Sequence, residues 1–127
     1  MAFFGPVLDF MGYTHHERGQ DSGTRLTINL NPDTEIAFNI WQAKGDLGRH
    51  PFEVYEPGLH HIAFNADTHA RVDEMAELVT RLGGTILDGP GEFPFAVGGY
   101  YAVYFTAPPD NLKFEFVHMS ELAGRYR

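Results

Sequence analysis

Cysteine is absent from the 127-residue chain, so disulfide staples and thiolate chemistry are excluded. That absence is compatible with a reducing compartment, and the cytoplasm is the expected location. Positive charge is scarce as well. Nine Lys and Arg stand against 17 Asp and Glu, the net charge is −8, and no basic cluster occurs. A phosphate backbone would be repelled, so no nucleic-acid partner is expected. No apolar run approaches the roughly 20 residues of a membrane-spanning helix, and no membrane partner is expected. The apolar start MAFFGPVLDFMGY lacks a basic flank and carries Pro6 and Asp9, unlike a secretory leader. What remains, 43% apolar and 20% charged residues, suits one globular domain able to bury a core. An acidic surface also suits cationic ligands.

One helix stands out. Asp67 and Thr68 offer N-cap oxygens, and Val72, Met75, Ala76, Val79 and Leu82 then recur at spacings of three and four. Gly83-Gly84 ends the run, because glycine accepts the left-handed conformation that follows a helix. Alternation predicts strands over 23–30 and 35–42, joined by the turn Asn31-Pro32-Asp33. Further strands are expected over 59–66, 99–106 and 112–118, the last two joined by the turn Pro108-Pro109-Asp110-Asn111. Stretches 44–58 and 88–98 read as Gly/Pro-punctuated loops, and the tail after Met119 as short, polar and peripheral.

The chain also repeats itself. Residues 8–13 match 79–84 as a helix end plus glycine, and 37–42 match 113–118 as a final strand. Each unit reads as a helix end, two strands and a last strand. The second unit has an extra strand before its helix, carrying His60 and His61, and the first has no counterpart to it.

This pattern resembles the glyoxalase / bleomycin-resistance / extradiol-dioxygenase superfamily, the vicinal oxygen chelate group. FFGPVLDFMGY (3–13), GLHHIAF (58–64) and PPDNLKFE (108–115) are similar to its first helix, the start of its second module and its closing hairpin. The resemblance covers nearly the whole chain and implies an α+β fold. Paired βαβββ modules would form a curved mixed sheet around a cavity, with the first module (1–43) lacking its opening strand and the second spanning 59–118, all within one domain, 1–127. It implies a divalent metal (Zn, Fe, Mn or Ni), a small-molecule substrate or drug, and a homodimer. The activity implied is that of a metal-dependent lyase, isomerase or dioxygenase chelating vicinal oxygens. The alternative is metal-free drug sequestration of the bleomycin-resistance kind.

Carried over residue by residue, the resemblance makes His61 and Glu115 metal ligands, with Glu115 also the catalytic carboxylate. From the residues alone, each fits a surface position as readily, and strand alternation sends His60 to the face opposite His61. The repeat pairs Glu115 with Asn39, which offers only a neutral carbonyl oxygen and cannot act as a general base. A third ligand would come from the strand that the first module lacks. His15 and His16 qualify by residue type and by an expected strand there, although they also read as an exposed polar stretch. Dioxygenases of this group often carry a tyrosine ten residues before the glutamate; Phe105 stands there and lacks the hydroxyl. Asn39, Trp41, Ala63, Tyr101 and Phe105 are the expected substrate-pocket wall, together with Ala37, Asn65, Val103, Lys113 and Val117. Loops 44–57 and 88–98, with His50, Tyr55 and Phe95, would lie at its mouth.

Overall fold

A computed structural model describes residues 1–96 and 98–120. The chain divides into two compact units, Met1–Pro51 and Phe52–Arg127, with the boundary inside the expected loop 44–58. The expected tail from Glu121 onward lies outside the described residues. No helix among the described residues is long and apolar enough to cross a membrane.

The first unit holds helix α1 (Phe4–Phe10) and strands β1 (His15–Asp21), β2 (Thr24–Asn31) and β3 (Ile36–Trp41), an antiparallel sheet in the order β1-β2-β3. Helix α1 buries Val7 and Leu8 and stops at Met11, after which Gly12 takes a positive φ of 93° that few other residues tolerate. The turn after β2 is an Asx turn, in which Asn31 Oδ1 accepts the backbone N–H of Asp33 at 3.0 Å. A single 3-10 turn, Gly45–Gly48, follows β3.

Helix and sheet are tied by a histidine whose protonation state is fixed by its neighbours. Asn29 is fully buried, and its Nδ2 donates to the carbonyl of Phe38 at 2.7 Å. Its Oδ1 therefore faces His16 Nδ1, 2.7 Å away, and can only accept. The other ring nitrogen, Nε2, meets the Asp9 carboxylate on α1 at 2.7 Å. Both ring nitrogens must donate, so this arrangement suits imidazolium. The hydrogen bond to Asp9, then that to Asn29, raises the pKa of His16 above its usual 6.5. A raised folded pKa stabilises below the unfolded value and is lost as pH climbs through the folded one. We expect His16→Gln to be less stable than wild type below pH ~6, by a few tenths to about 1 kcal/mol because Asp9 is open to solvent. The gap should close toward pH ~9. Urea unfolding of both proteins across that range measures it, and a gap independent of pH would refute it.

The second unit holds β4 (Ile62–Asn65), α2 (His69–Arg81), β5 (Thr85–Glu92), β6 (Tyr101–Ala107) and β7 (Leu112–His118). Its sheet runs β4-β7-β6-β5, with β4 parallel to β7 and the other pairs antiparallel. Strands β5-β6-β7 repeat the order of β1-β2-β3, and β4 has no counterpart in the first unit's sheet. The fold class is therefore α+β with two sheets, the second of them mixed and one strand larger.

Thr68 is the N-cap of α2, its side chain accepting the N–H of Arg71 at 3.1 Å. We expect Thr68→Ala to cost about 1 kcal/mol in unfolding free energy and Thr68→Asn to cost little; equal losses from both would contradict a capping role. Val72, Met75, Ala76 and Val79 form the buried stripe of α2, which packs on β5, β6 and β7. One expectation needs correction: residues 88–92, expected as loop, complete β5. Strand β5 is an edge strand with register shifts between Ile86 and Asp88 and between Asp88 and Gly91, which accommodates Pro90. Gly89 is required there, because its φ is 78° and a Cβ would lie 2.3 Å from the Ala102 carbonyl oxygen.

Candidate functional site

Residues facing each other across a ladder share a face of the sheet. Tyr104 is opposite Glu115, Ala102 opposite Val117 and Thr106 opposite Lys113, while Ala63 and Asn65 lie beside Glu115 and Val117 on β4. This is one face. The other carries Phe105 opposite Phe114, Val103 opposite Phe116, and Tyr101 opposite His118. It is the face toward α2, because the Tyr101 hydroxyl donates to Asp73 on that helix at 2.6 Å and its ring stacks on His69. Tyr101, Val103 and Phe105 thus belong to the helix-side core rather than to the face of Glu115, a correction to the expected pocket wall. Ala63, Asn65, Lys113 and Val117 do share the face of Glu115. Asn39 and Trp41 belong to the first unit, where both are exposed with Ala37 on one face of β3.

Glu115 is 3% exposed in a strand otherwise made of Leu, Phe and Val with one Lys and a terminal His. A carboxylate so placed needs donors, and it has three. His61 Nε2 meets Oε2 at 2.9 Å. The hydroxyls of Tyr100 and Tyr104 both donate to the other oxygen, Oε1, that of Tyr104 at 3.1 Å. Burial, and then Glu115 itself, push the Tyr100 hydroxyl's pKa up; burial raises that of Tyr104 too, so both phenols stay protonated.

His60 does not point away from His61. Both residues precede β4, where alternation does not apply, and their Nδ1 atoms lie 2.6 Å apart. One proton per ring completes a relay in which His60 donates to His61 and His61 donates to Glu115. Partial desolvation, followed by the nearby Lys113 and His61, lowers the pKa of His60. His16 has both ring nitrogens engaged, and His15 pairs through Nε2 with Glu17 at 3.1 Å.

Aromatic rings surround this carboxylate. Phe93 stacks on Phe95 and meets Tyr100 and Tyr104 edge-on; His61 meets Tyr104 edge-on, and Tyr55 meets His60. The Lys113 ammonium lies 5.3 Å from the Tyr104 ring centre. Tyr100, Tyr104 and Phe93 were not among the residues expected at the site. For Tyr104 a signal existed: counting back from the four-residue turn pairs Leu112 with Ala107 and therefore Glu115 with Tyr104. The hydroxyl missing at Phe105 is supplied one position earlier.

No family model matches the chain. It is 33% identical over 116 residues to the uncharacterized protein YqjT of Bacillus subtilis, covering 91% of this chain and 84% of that one. Among solved structures it is similar to a glyoxylase/bleomycin resistance protein/dioxygenase domain from Frankia sp. EAN1pec (TM-score 0.67, 21% identity, 81% of this chain and 75% of that one). The chain has the fold of this glyoxylase/bleomycin resistance protein/dioxygenase domain. A second solved structure, a glyoxalase/bleomycin resistance protein from Albidiferax ferrireducens T118, shares the fold (TM-score 0.64, 19% identity, 92% of this chain and 86% of that one). Among the described residues no three His, Asp or Glu side chains converge on one point, so His61 and Glu115 stand as a pair.

Proposed function

We propose that this chain is a vicinal oxygen chelate protein that binds a small organic molecule through a divalent metal held by His61 and Glu115. The observation that carries it is the approach of His61 Nε2, just ahead of β4, to Glu115 Oε2 on the neighbouring strand β7 at 2.9 Å. Nitrogen and carboxylate-oxygen ligands lie about 2.0–2.2 Å from such metals, so two of them at right angles sit roughly 3 Å apart. The donor types and their spacing fit two adjacent coordination positions. The pair is one short of the three protein ligands usual in catalytic sites.

A metal bound here would supply Lewis acidity toward two neighbouring oxygens of the substrate. The chain's own part is to hold and orient. Glu115, buried, contributes negative charge where solvent screens it least. His60 presents Nδ1 to His61 Nδ1, the kind of outer partner that fixes which ring nitrogen faces the metal. Phe93, Tyr100 and Tyr104 give an apolar wall for the organic part of the ligand.

A second reading, metal-free binding of a cationic small molecule, draws on the aromatic rings around an already satisfied carboxylate. Metal analysis of untagged protein, with titration of Zn, Mn, Ni and Fe(II) followed by calorimetry, separates the two. Stoichiometric uptake is expected. No uptake, combined with a higher Tm on adding a cationic aromatic compound, would favour the second.

A further inference from the structure

Glu115 is held asymmetrically. Both tyrosine hydroxyls that reach it end on Oε1, and among the described residues only His61 meets Oε2. A free carboxylate can offer a metal both oxygens, and a carboxylate whose one oxygen already accepts two phenol protons has little reason to do so. We propose that Tyr100 and Tyr104 are positioning residues that make Glu115 a one-oxygen ligand, reserving Oε2 for the metal and leaving a coordination position open to substrate. This inference rests on the metal-binding reading above and adds to it the division of labour between the two oxygens.

The placement of the two tyrosines supports a dedicated role. Tyr104 is the direct cross-strand neighbour of Glu115 on β6, so its hydroxyl arrives by the sheet register alone. Tyr100 comes from the segment leading into β6, four residues away, and reaches the same atom from a different direction. Their hydroxyls lie 3.4 Å apart, converging on that one oxygen. Phe93 packs edge-on against both rings and Phe95 against that of Tyr100, limiting their rotation. A single tyrosine would satisfy the carboxylate oxygen; two, with a shared aromatic brace, also fix its plane.

The test reads the carboxylate directly. In protein carrying 13C-labelled glutamate, the infrared difference spectrum on adding Zn isolates the ligating carboxylate, and Glu115→Gln identifies its band by losing it. One-oxygen ligation gives a wide separation between the antisymmetric and symmetric stretches, and two-oxygen ligation a narrow one. Wild type should show the wide separation. Tyr100→Phe/Tyr104→Phe should show the narrow one, with Zn affinity about tenfold weaker, the lower end of what loss of an outer partner costs. Each single variant should show a mixture, which keeps the test usable if the double variant does not fold. Tyr101→Phe, whose hydroxyl serves Asp73 on the opposite face, should leave the band unchanged. An unchanged separation in variants that still bind Zn would overturn the positioning role alone. Failure of wild type to bind any metal would overturn it together with the metal-binding reading.

Discussion

Met75→Ala is expected to destabilise the second unit by about 2–5 kcal/mol, because the cavity left by a large buried side chain adds to the lost transfer free energy. Met75 is 0% exposed, central in the α2 stripe between Val72 and Val79, and α2 meets the sheet chiefly along β5 and β6. The sheet presents Val103, Phe105, Phe114 and Phe116 on that side, all buried. Alanine is the better helix former by only a few tenths of a kcal/mol, far too little to offset the loss. Methionine is flexible and its surroundings can partly collapse, so the lower half of the range is the natural outcome. Urea unfolding gives the value, and Met75→Leu, which nearly conserves volume, should cost under about 1.5 kcal/mol. A Met75→Ala loss below 1 kcal/mol, on the order of a surface change, would mean that α2 is not anchored through this stripe.

His61→Ala and Glu115→Gln are each expected to weaken divalent-metal binding at least 100-fold, a loss of about 2.7 kcal/mol in binding free energy. The two substitutions remove different things. His61→Ala takes away the imidazole and leaves Glu115 Oε2 without its recorded partner, while the two tyrosines still hold Oε1. Glu115→Gln keeps size and an acceptor for the tyrosines but removes the charge and one acceptor, so the fold should survive while the metal is lost. Calorimetric titration with Zn and Mn, alongside circular dichroism to establish folding, measures both. Variants that are folded and bind metal as tightly as wild type would remove His61 and Glu115 from the metal site and leave their 2.9 Å contact as a hydrogen bond only.

Local chemistry was enough to read several elements. The 3.6-residue stripe from Val72 to Val79, the Thr68 cap and the glycines after Leu82 locate α2 because backbone, cap and buried face all agree. The turn at 108–111 and the apolar alternation around it locate the hairpin of β6 and β7 in the same way. Strand β1, HHERGQD, is exposed throughout and offers no apolar alternation, so its bounds could not be read although a strand was expected at His15 and His16. The end of strand β5 escaped altogether. Strand β5, TILDGPGE, carries Gly89, Pro90 and Gly91, which signal a loop in isolation. At a sheet edge those residues are tolerated, because one side of the strand has no ladder to complete.

The sequence by itself determined helix α2 and the unequal repeat through spacing, and its resemblance to a known superfamily implied the α+β class and the choice of His61 and Glu115 as the pair to examine. Tertiary structure decided which face each side chain occupies. Register moved the relevant hydroxyl from position 105 to Tyr104 and sent Tyr101 and Phe105 behind the sheet, because a one-residue change in pairing reverses the face of every side chain in a strand. It also gave the two oxygens of Glu115 different partners, Tyr100 and Tyr104 on one and His61 on the other. Those partners come from two segments, one at His61 and one at Tyr100–Tyr104, and only the folded chain puts them around one carboxylate.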